Sequence, residues 1–502
     1  MTGENFYETL RTGVSASMDA PMLTAPDGAS LSYAEMDARA AQMAAVFREA
    51  GAQAGDRIGV QVEKSFDNVA AYLGAMRAGL VYVPLNTAYT DEELAYFLND
   101  AEPAIFICDP AREAALAPIA LKAQVKTVFT LGADGQGSLA LGADSVTEDD
   151  ASAARDDDDL AVILYTSGTT GRSKGAMLTH TNLRSNAQAL NALWGFSQKD
   201  VLLHALPIFH IHGLFVALHT AMLSGAEILF LPKFDVAAVR AALPRATVMM
   251  GVPTFYTRLL AEESFTRDET QNMRLFISGS APLTEETFNA FEARAGHKIL
   301  ERYGMSEAGM IASNPLLGER RAGTVGFALP DVSLRITDEG GALAPEGEAG
   351  NVEVTGPNIF KGYWRMPEKT AAEFRGDWFI TGDVGSLDHE GRLTLAGRAK
   401  DLIIAGGYNI YPKEIETVLD AVPGVTESAV VGCPHPDMGE GVIAVLVADD
   451  TALDDGCIED AMKALAKFKR PRKIFWVDAL PRNAMGKVQK QLLRERYHDA
   501  FL

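Results

Sequence analysis

The sequence predicts an α/β protein: a large N-terminal domain of parallel α/β sheets with a small β unit, followed by a smaller, mobile α+β C-terminal domain. Three observations lead there. Short apolar runs alternate with amphipathic stretches from residue 32 to residue 278, which calls for crossover units on parallel strands with helices on both faces. From 323 to 395 the texture changes to short strands broken by Gly and Pro, the pattern of an antiparallel β unit. Beyond Gly397-Arg398-Ala399-Lys400-Asp401 there remains about 100 residues, enough for a separate domain. The domains are therefore set at 1–398 and 399–502.

Ser32-x-x-Glu35 is a capping box, and Met36, Ala40, Met43 and Phe47 follow at helical spacing until Gly51 closes the helix. A strand is expected at 58–62, a helix at 68–78 and a strand at 80–85. Thr90-x-x-Glu93 caps the next helix, ahead of a strand at 104–108. The run 160–165 reads as a buried strand, and 178–196 as the helix that follows the next loop. Alternation continues through 227–231, 236–243, 247–251 and 275–278. The last segment reads helix (412–421), strands (427–433 and 442–447), helix (458–466) and strand (474–477).

The chain has 502 residues, 47% apolar and 22% charged, the balance of a globular enzyme. Its 45 basic and 67 acidic residues give a net charge of −22, which argues against partners such as nucleic acid or an anionic membrane. An anionic substrate must be met by local arginines and lysines. Cys108, Cys433 and Cys457 have no paired spacing and offer neither a disulfide frame nor a metal site. No secretory leader, membrane span or peroxisomal tripeptide is evident, so the expected location is cytoplasmic.

The strand at 160–165 empties into Thr166, Ser167, Gly168, Thr169, Thr170, Gly171, Arg172, Ser173, Lys174. Glycines let backbone N–H groups converge on a polyanion, hydroxyls add donors, and Lys174 supplies charge. The order is not that of a Walker loop. A helix at 178–196 would bring a helix N-terminus near the bound anion.

Further motifs follow in order: Phe209-His210-Ile211-His212-Gly213, Glu301-Arg302-Tyr303-Gly304-Met305-Ser306-Glu307, 347–364, Trp378 to Asp383, Gly397 to Asp401, and Pro481-Arg-Asn-x-x-Gly-Lys487. With the phosphate loop they make the chain similar, over nearly its whole length, to the acyl-adenylate-forming superfamily of acyl-CoA synthetases, luciferases and adenylation domains. The resemblance implies ATP, Mg²⁺ and CoA. A carboxylate attacks the α-phosphorus to give an acyl-adenylate, and a thiol then displaces AMP.

By the same resemblance, Thr166 to Gly171 and Lys174 hold phosphates, and Glu307 holds Mg²⁺ with Ser306 nearby. Ser278, Gly279, Ser280 and Ala281, with Glu301, Arg302, Tyr303, Gly304 and Met305, form the adenine slot. Asp383 suits the ribose diol because a carboxylate offers acceptors only, with Arg398 as second ribose contact. Lys487 bridges the incoming carboxylate and the α-phosphate. Lys400 is the hinge about which the small domain turns, bringing Gly406 and Gly407 to a pantetheine tunnel, while Arg470 in a basic cluster meets CoA phosphates. His210 lines the acyl pocket; His212 reads more as a core histidine.

Arg302 stands where many relatives have a small or neutral residue, and a guanidinium there suits a second, distal carboxylate. The 301–305 segment resembles that of malonyl-CoA synthetases. Arg258 is a candidate second cation. The alternative for Arg302 is a structural salt bridge to Glu301 or Glu307. The expected partner is thus a small dicarboxylic acid, malonate or methylmalonate, with oxalate or acetate as other readings and a non-catalytic nucleotide-binding protein as the rival class. No Asp for an α-amino group follows the His210 motif, and no carrier-protein domain is expected in the chain.

Overall fold

The computed structural model describes residues 4–147, 151–166, 173–405, 408–448, 453, 455–483 and 487–502. Among these, two parallel-rich sheets dominate the first 330 residues. In the seven-stranded sheet, Thr127–Thr130, Ile105–Cys108, Arg57–Gln61, Val81–Pro84 and Leu160–Thr166 run parallel; Lys174–Thr179 and Gly362–Tyr363 close one edge antiparallel. The nine-stranded sheet runs parallel from Pro21–Thr24 through Glu227–Phe230, Val201–His204, Val248–Gly251 and Leu275–Ser278 to Leu300–Met305.

The expected crossovers are present for the expected reasons. Ser32 and Thr90 each accept from the third helical N–H, while Glu35 and Glu93 reach back to the cap backbone, starting helices Tyr33–Glu49 and Asp91–Ala101. Strand Ile105–Cys108 shows why the seven-stranded sheet needs helices on both faces: Ile105 and Ile107 enter one core cluster, Phe106 and Cys108 another. The first cluster is continuous, joining both sheets to helices Tyr33–Glu49, Phe66–Arg77 and His180–Leu193.

One expectation fails at a functional place. The phosphate loop does not lead into a helix. Lys174–Thr179 is a strand paired antiparallel with Leu160–Thr166, and the helix begins only at His180. Its side chains alternate between the two faces, Ala176 and Leu178 entering one core cluster and Met177 packing against the other, and Gly175 fits flat against Ile163 and Trp364. The loop is therefore a hairpin connection. His180 at that helix start is fully buried and accepts from the Phe6 N–H, so no anion reaches it.

The β unit is antiparallel as expected, built from Ser333–Thr337, Gly350–Thr355, Trp378–Leu387, Leu393–Arg398 and Phe374–Arg375. Helix Pro412–Asp420, the long hairpin Val425–His435 and Gly439–Ala448, and Lys473–Trp476 form the C-terminal sheet, with apolar clusters on its two faces. Among the elements not foreseen are an N-terminal helix Phe6–Gly13 capped by Asn5, helices Glu113–Lys122, Pro253–Leu260 and Glu285–Ala295, and the paired strands Ile403–Ala405 and Tyr408–Ile410. No described helix is long and apolar enough to cross a membrane.

Within the β unit, Glu353 is fully buried and accepts from Arg335 (Nε at 2.8 Å), Thr337 (3.0 Å) and Arg375. Removing that one carboxylate takes the shared acceptor from both guanidiniums and leaves Arg375 only the Thr337 hydroxyl at 3.3 Å. Glu353→Ala is expected to cost about 3 kcal/mol in denaturant unfolding, and Glu353→Gln less. An unchanged midpoint would show that water replaces the carboxylate without penalty.

Candidate active site

A cleft forms at the carboxyl ends of Leu275–Ser278 and Leu300–Met305, where open α/β sheets place their ligands. Ser278 pairs in register with Glu301. Past it the chain turns through Gly279 and Ser280, the latter with φ +70°, a left-handed backbone that a non-glycine residue adopts only under local constraint. Arg302 lies directly against Gly279, where an added Cβ would overlap the guanidinium. Glycine at 279 is what gives Arg302 room.

Arg302 is 3% exposed, and its Nε and Nη2 have no partner among the described residues. Neither Glu301 nor Glu307 pairs with it, so the structural salt bridge is not formed among the described residues. Burial alone pushes its pKa down to about 9. Glu301, next along the strand, alternates to the other face. It accepts from the Leu283 N–H at 3.4 Å, keeps Oε2 unpartnered, and burial pushes its carboxyl up to about 8.

On the nucleotide side the carboxylates are partnered. Asp383 and Arg398 stand opposite each other on adjoining strands, with Arg398 Nε 2.9 Å from Asp383 Oδ1. The Tyr303 hydroxyl donates to Asp383 Oδ2, and the Asp383 N–H donates to Thr381 Oγ1 at 3.1 Å. Burial raises the Asp383 pKa, opposed by Arg398 and Tyr303. Gly304 and Met305 lead to the turn where Ser306 and Glu307 sit. A Cβ on Gly304 would overlap Gly309 and Met310, so the hairpin needs glycine there. Glu307 accepts from Tyr363 OH at 3.1 Å, and burial raises its pKa against the pull of Arg398 and Lys174.

Thr166 ends its strand with its hydroxyl 3.5 Å from the Lys174 carbonyl. Ser167, Gly168, Thr169, Thr170 and Gly171 lie outside the described residues, as do Gly406 and Gly407. Lys174 pairs with Glu373 at 3.3 Å, 4.4 Å from the ring centroid of Tyr363. Tyr363, Glu373 and Thr381 were missed from the sequence, although Tyr363 and Thr381 fall inside recognised motifs.

Lys487 comes from the C-terminal segment. Its backbone N–H donates to Asn483 Oδ1 at 3.0 Å and its carbonyl accepts from the Asn483 N–H, closing a tight loop. Its side chain stays open to water, yet the cleft walls enclose it enough to lower its pKa; Arg398 and Arg302 act the same way, and Asp383 and Glu307 oppose them. These four neighbours put the ammonium over the cleft. His210 lies between the poles: after burial, Lys487 and Arg302 are the charges that lower its pKa, to about 3.

His212 departs from the core reading. It is 1% exposed, its Nδ1 lies 3.2 Å from Ser280 Oγ, and Arg302 is the nearest strong charge acting on it. It opens the π-helical turn His212–Leu218, an insertion frequent at functional sites. Arg258 is not brought to Arg302. It follows Tyr256 by two residues on helix Pro253–Leu260, hence about 200° around the axis, and is exposed against the Phe234 ring. Arg470 spends its guanidinium on the carbonyls of Leu465 (2.8 Å) and Lys463 (3.2 Å). Lys400 lies in the turn Ala399–Asp401, whose Asp401 pairs with Arg494 at 2.8 Å.

Residues 10–364 match the family model described as AMP-binding enzyme, and residues 414–487 that described as AMP-binding enzyme C-terminal domain. A malonate–CoA ligase from Arabidopsis thaliana is 34% identical over 520 residues, covering 93% of this chain and 85% of that protein. The long-chain-fatty-acid–CoA ligase FadD13 of Mycobacterium tuberculosis is also 34% identical, over 484 residues and 93% of each. Among solved structures, ATP-bound MatB from Rhodopseudomonas palustris is 52% identical over 100% of both chains, with a TM-score of 0.97.

Glu301 gives the site a pH signature. Its folded pKa is raised to about 8 from 4.5, so between those values the unfolded chain has released a proton that the folded chain keeps, and stability falls as pH rises. Glu301→Gln is expected to melt progressively higher than the wild type as pH climbs from about 5, the gain levelling off above about 8. A pH-independent difference would remove the buried-carboxyl assignment.

Proposed function

The chain belongs to the AMP-binding enzyme family, and on that footing we propose that it ligates a small dicarboxylic acid, malonate in particular, to coenzyme A through an acyl-adenylate. At the coarser level it is an AMP-forming CoA ligase that uses ATP, Mg²⁺ and CoA. The observation that carries the finer reading is the buried, unpaired Arg302. A guanidinium left without a carboxylate in such a place costs on the order of 2–5 kcal/mol. An acid with a second carboxylate relieves that cost on binding; a monocarboxylate does not. The relatives named malonate–CoA ligase support the same acid.

The residues take the following roles in this reading. Arg302 holds the distal carboxylate and His210 lines the space between it and Lys487. Lys487 presents its ammonium to the reacting carboxylate and the α-phosphate, offsetting charge where two anions meet. Asp383 accepts from the ribose hydroxyls with Arg398 beside it, and Ser278 to Ala281 with Glu301 to Met305 enclose the adenine around Tyr303. Thr166 and Lys174 flank the phosphate loop. Glu307, a buried carboxylate bonded by Tyr363, would hold Mg²⁺, an ion commonly bound by one or two carboxylates with phosphate oxygens and water. When bound, Mg²⁺ neutralises phosphate charge. Lys400 serves as the hinge; a CoA role for Arg470 rests on its remaining Nη1, since Nε and Nη2 are engaged by backbone carbonyls.

The test is AMP release with ATP, Mg²⁺ and CoA over a panel of mono- and dicarboxylic acids. Arg302→Ala is expected to lower kcat/KM for malonate roughly a hundredfold or more, and far less for propionate or acetate. Equal loss on both classes would remove the dicarboxylate reading. Lys487→Ala is expected to lose malonate-dependent pyrophosphate exchange yet still convert supplied malonyl-adenylate and CoA to thioester. Loss of both half-reactions would place Lys487 outside the adenylation step.

A further inference from the structure

We propose that Glu373 is a release element of the phosphate site: its carboxylate competes with the polyphosphate for Lys174 and so loosens the hold on pyrophosphate once the acyl-adenylate has formed. The proposal rests on the phosphate role of Lys174 and extends it to the departure of the first product.

Lys174 opens strand Lys174–Thr179 at the returning end of the phosphate hairpin, in register with Thr166. Its ammonium lies 3.3 Å from Glu373 Oε1 and 4.4 Å from the ring centroid of Tyr363. The hydroxyl of that same ring donates to Glu307 Oε1 at 3.1 Å. Two carboxylates from different parts of the chain thus meet Lys174 and Tyr363 at the mouth of the phosphate loop, and their partners differ. Glu307 takes a neutral hydroxyl, whereas Glu373 takes cations.

The backbone that carries Glu373 is fixed. It follows helix Pro367–Ala372, its carbonyl accepts from the Ile380 N–H at 2.8 Å, and the next two residues pair with the strand that carries Asp383. Lys369, one helical turn earlier, lies 2.8 Å from the same Oε1. The carboxylate is therefore shared between two ammonium groups, and Lys369 still balances it when Lys174 turns to a phosphate.

The consequence follows from charge alone. The Lys174 and Glu373 side chains are 15% and 22% exposed, so water and salt screen their attraction less than at an open surface. A lysine attracted to one anion binds another less tightly, which weakens every ligand that needs Lys174. ATP and pyrophosphate both fall in that class; the acid does not. Pyrophosphate keeps the oxygens that Lys174 holds after the bond to the α-phosphorus has broken, and its exit strips the lysine of a counter-charge. Glu373 supplies one from 3.3 Å away.

The experiment titrates magnesium pyrophosphate and magnesium ATP into the full-length enzyme by calorimetry. Glu373→Gln keeps the shape and removes the charge. It is expected to bind both ligands about fivefold more tightly, to be inhibited by correspondingly less pyrophosphate, and to keep its KM for malonate. Lys174→Met separates pairing from plain repulsion: in that background Glu373→Gln is expected to change pyrophosphate affinity by less than about twofold. Equal tightening in both backgrounds means that the carboxylate repels the polyanion directly, and overturns the proposal. Unchanged or weaker pyrophosphate binding in Glu373→Gln overturns it too, the weaker case marking Glu373 as a support for Lys174 or for the metal. Should Glu373→Gln not fold, Glu373→Ala carries the same test. If Lys174→Met weakens pyrophosphate while Glu373→Gln binds as wild type, only the Glu373 role falls; if Lys174→Met itself binds as wild type, the phosphate role of Lys174 falls with it.

Discussion

The site is organised around a positive charge that the protein buries and does not neutralise. Arg302 can be there because Gly279 has no side chain and because parallel strands open their carboxyl ends into a crevice. The chain as a whole carries −22, so no general field draws an acid inward. The two carboxylates that the sequence offered as partners for Arg302 are committed elsewhere. Glu301 faces Leu283 and stays protonated at neutral pH, and Glu307 is held by Tyr363. An unpaired cation with protonated or occupied acids around it is a selective trap for one further carboxylate.

The nucleotide side follows the opposite rule. Asp383 is paired with Arg398 and bonded by Tyr303, so its carboxylate is oriented before any diol arrives. Arg398 ends its strand immediately before the turn Ala399–Asp401, and Asp401 is tied to Arg494 on helix Lys490–Arg496. The connecting turn is thus anchored by one ion pair on each side of the boundary, Arg398 to Asp383 in the large lobe and Asp401 to Arg494 in the C-terminal segment that carries Lys487. The charges of Arg398, Asp383, Arg302 and Glu307 all act on that lysine.

How much of this was legible in the chain depended on whether a signal was local. Capping boxes at Ser32 and Thr90 fix helix starts through bonds spanning three residues, and both are present as read. The helix expected at 178–196 is present as His180–Leu193, but it does not start at the phosphate loop. Pairing with Leu160–Thr166 makes residues 174–179 a strand, and that is a tertiary fact. His212 looked like a core residue because periodicity reports burial and not what is buried beside it. Arg258 failed to join Arg302 for a simpler reason. Proximity of sequence motifs says nothing of helical phase, and Tyr256 already occupies the inward face.

The placement of the acid anchor bears on the two-step reaction. Arg302 and Gly279 belong to the large lobe, as do Asp383 and Tyr303, whereas Lys487 belongs to the C-terminal segment. An acid gripped mainly by Lys487 would lose its orientation whenever that loop moved. An acid gripped at its far end by Arg302 keeps its place whichever face of the C-terminal unit is turned toward it. Selectivity and alignment then come from one residue, and the charge that activates the carboxylate remains free to leave.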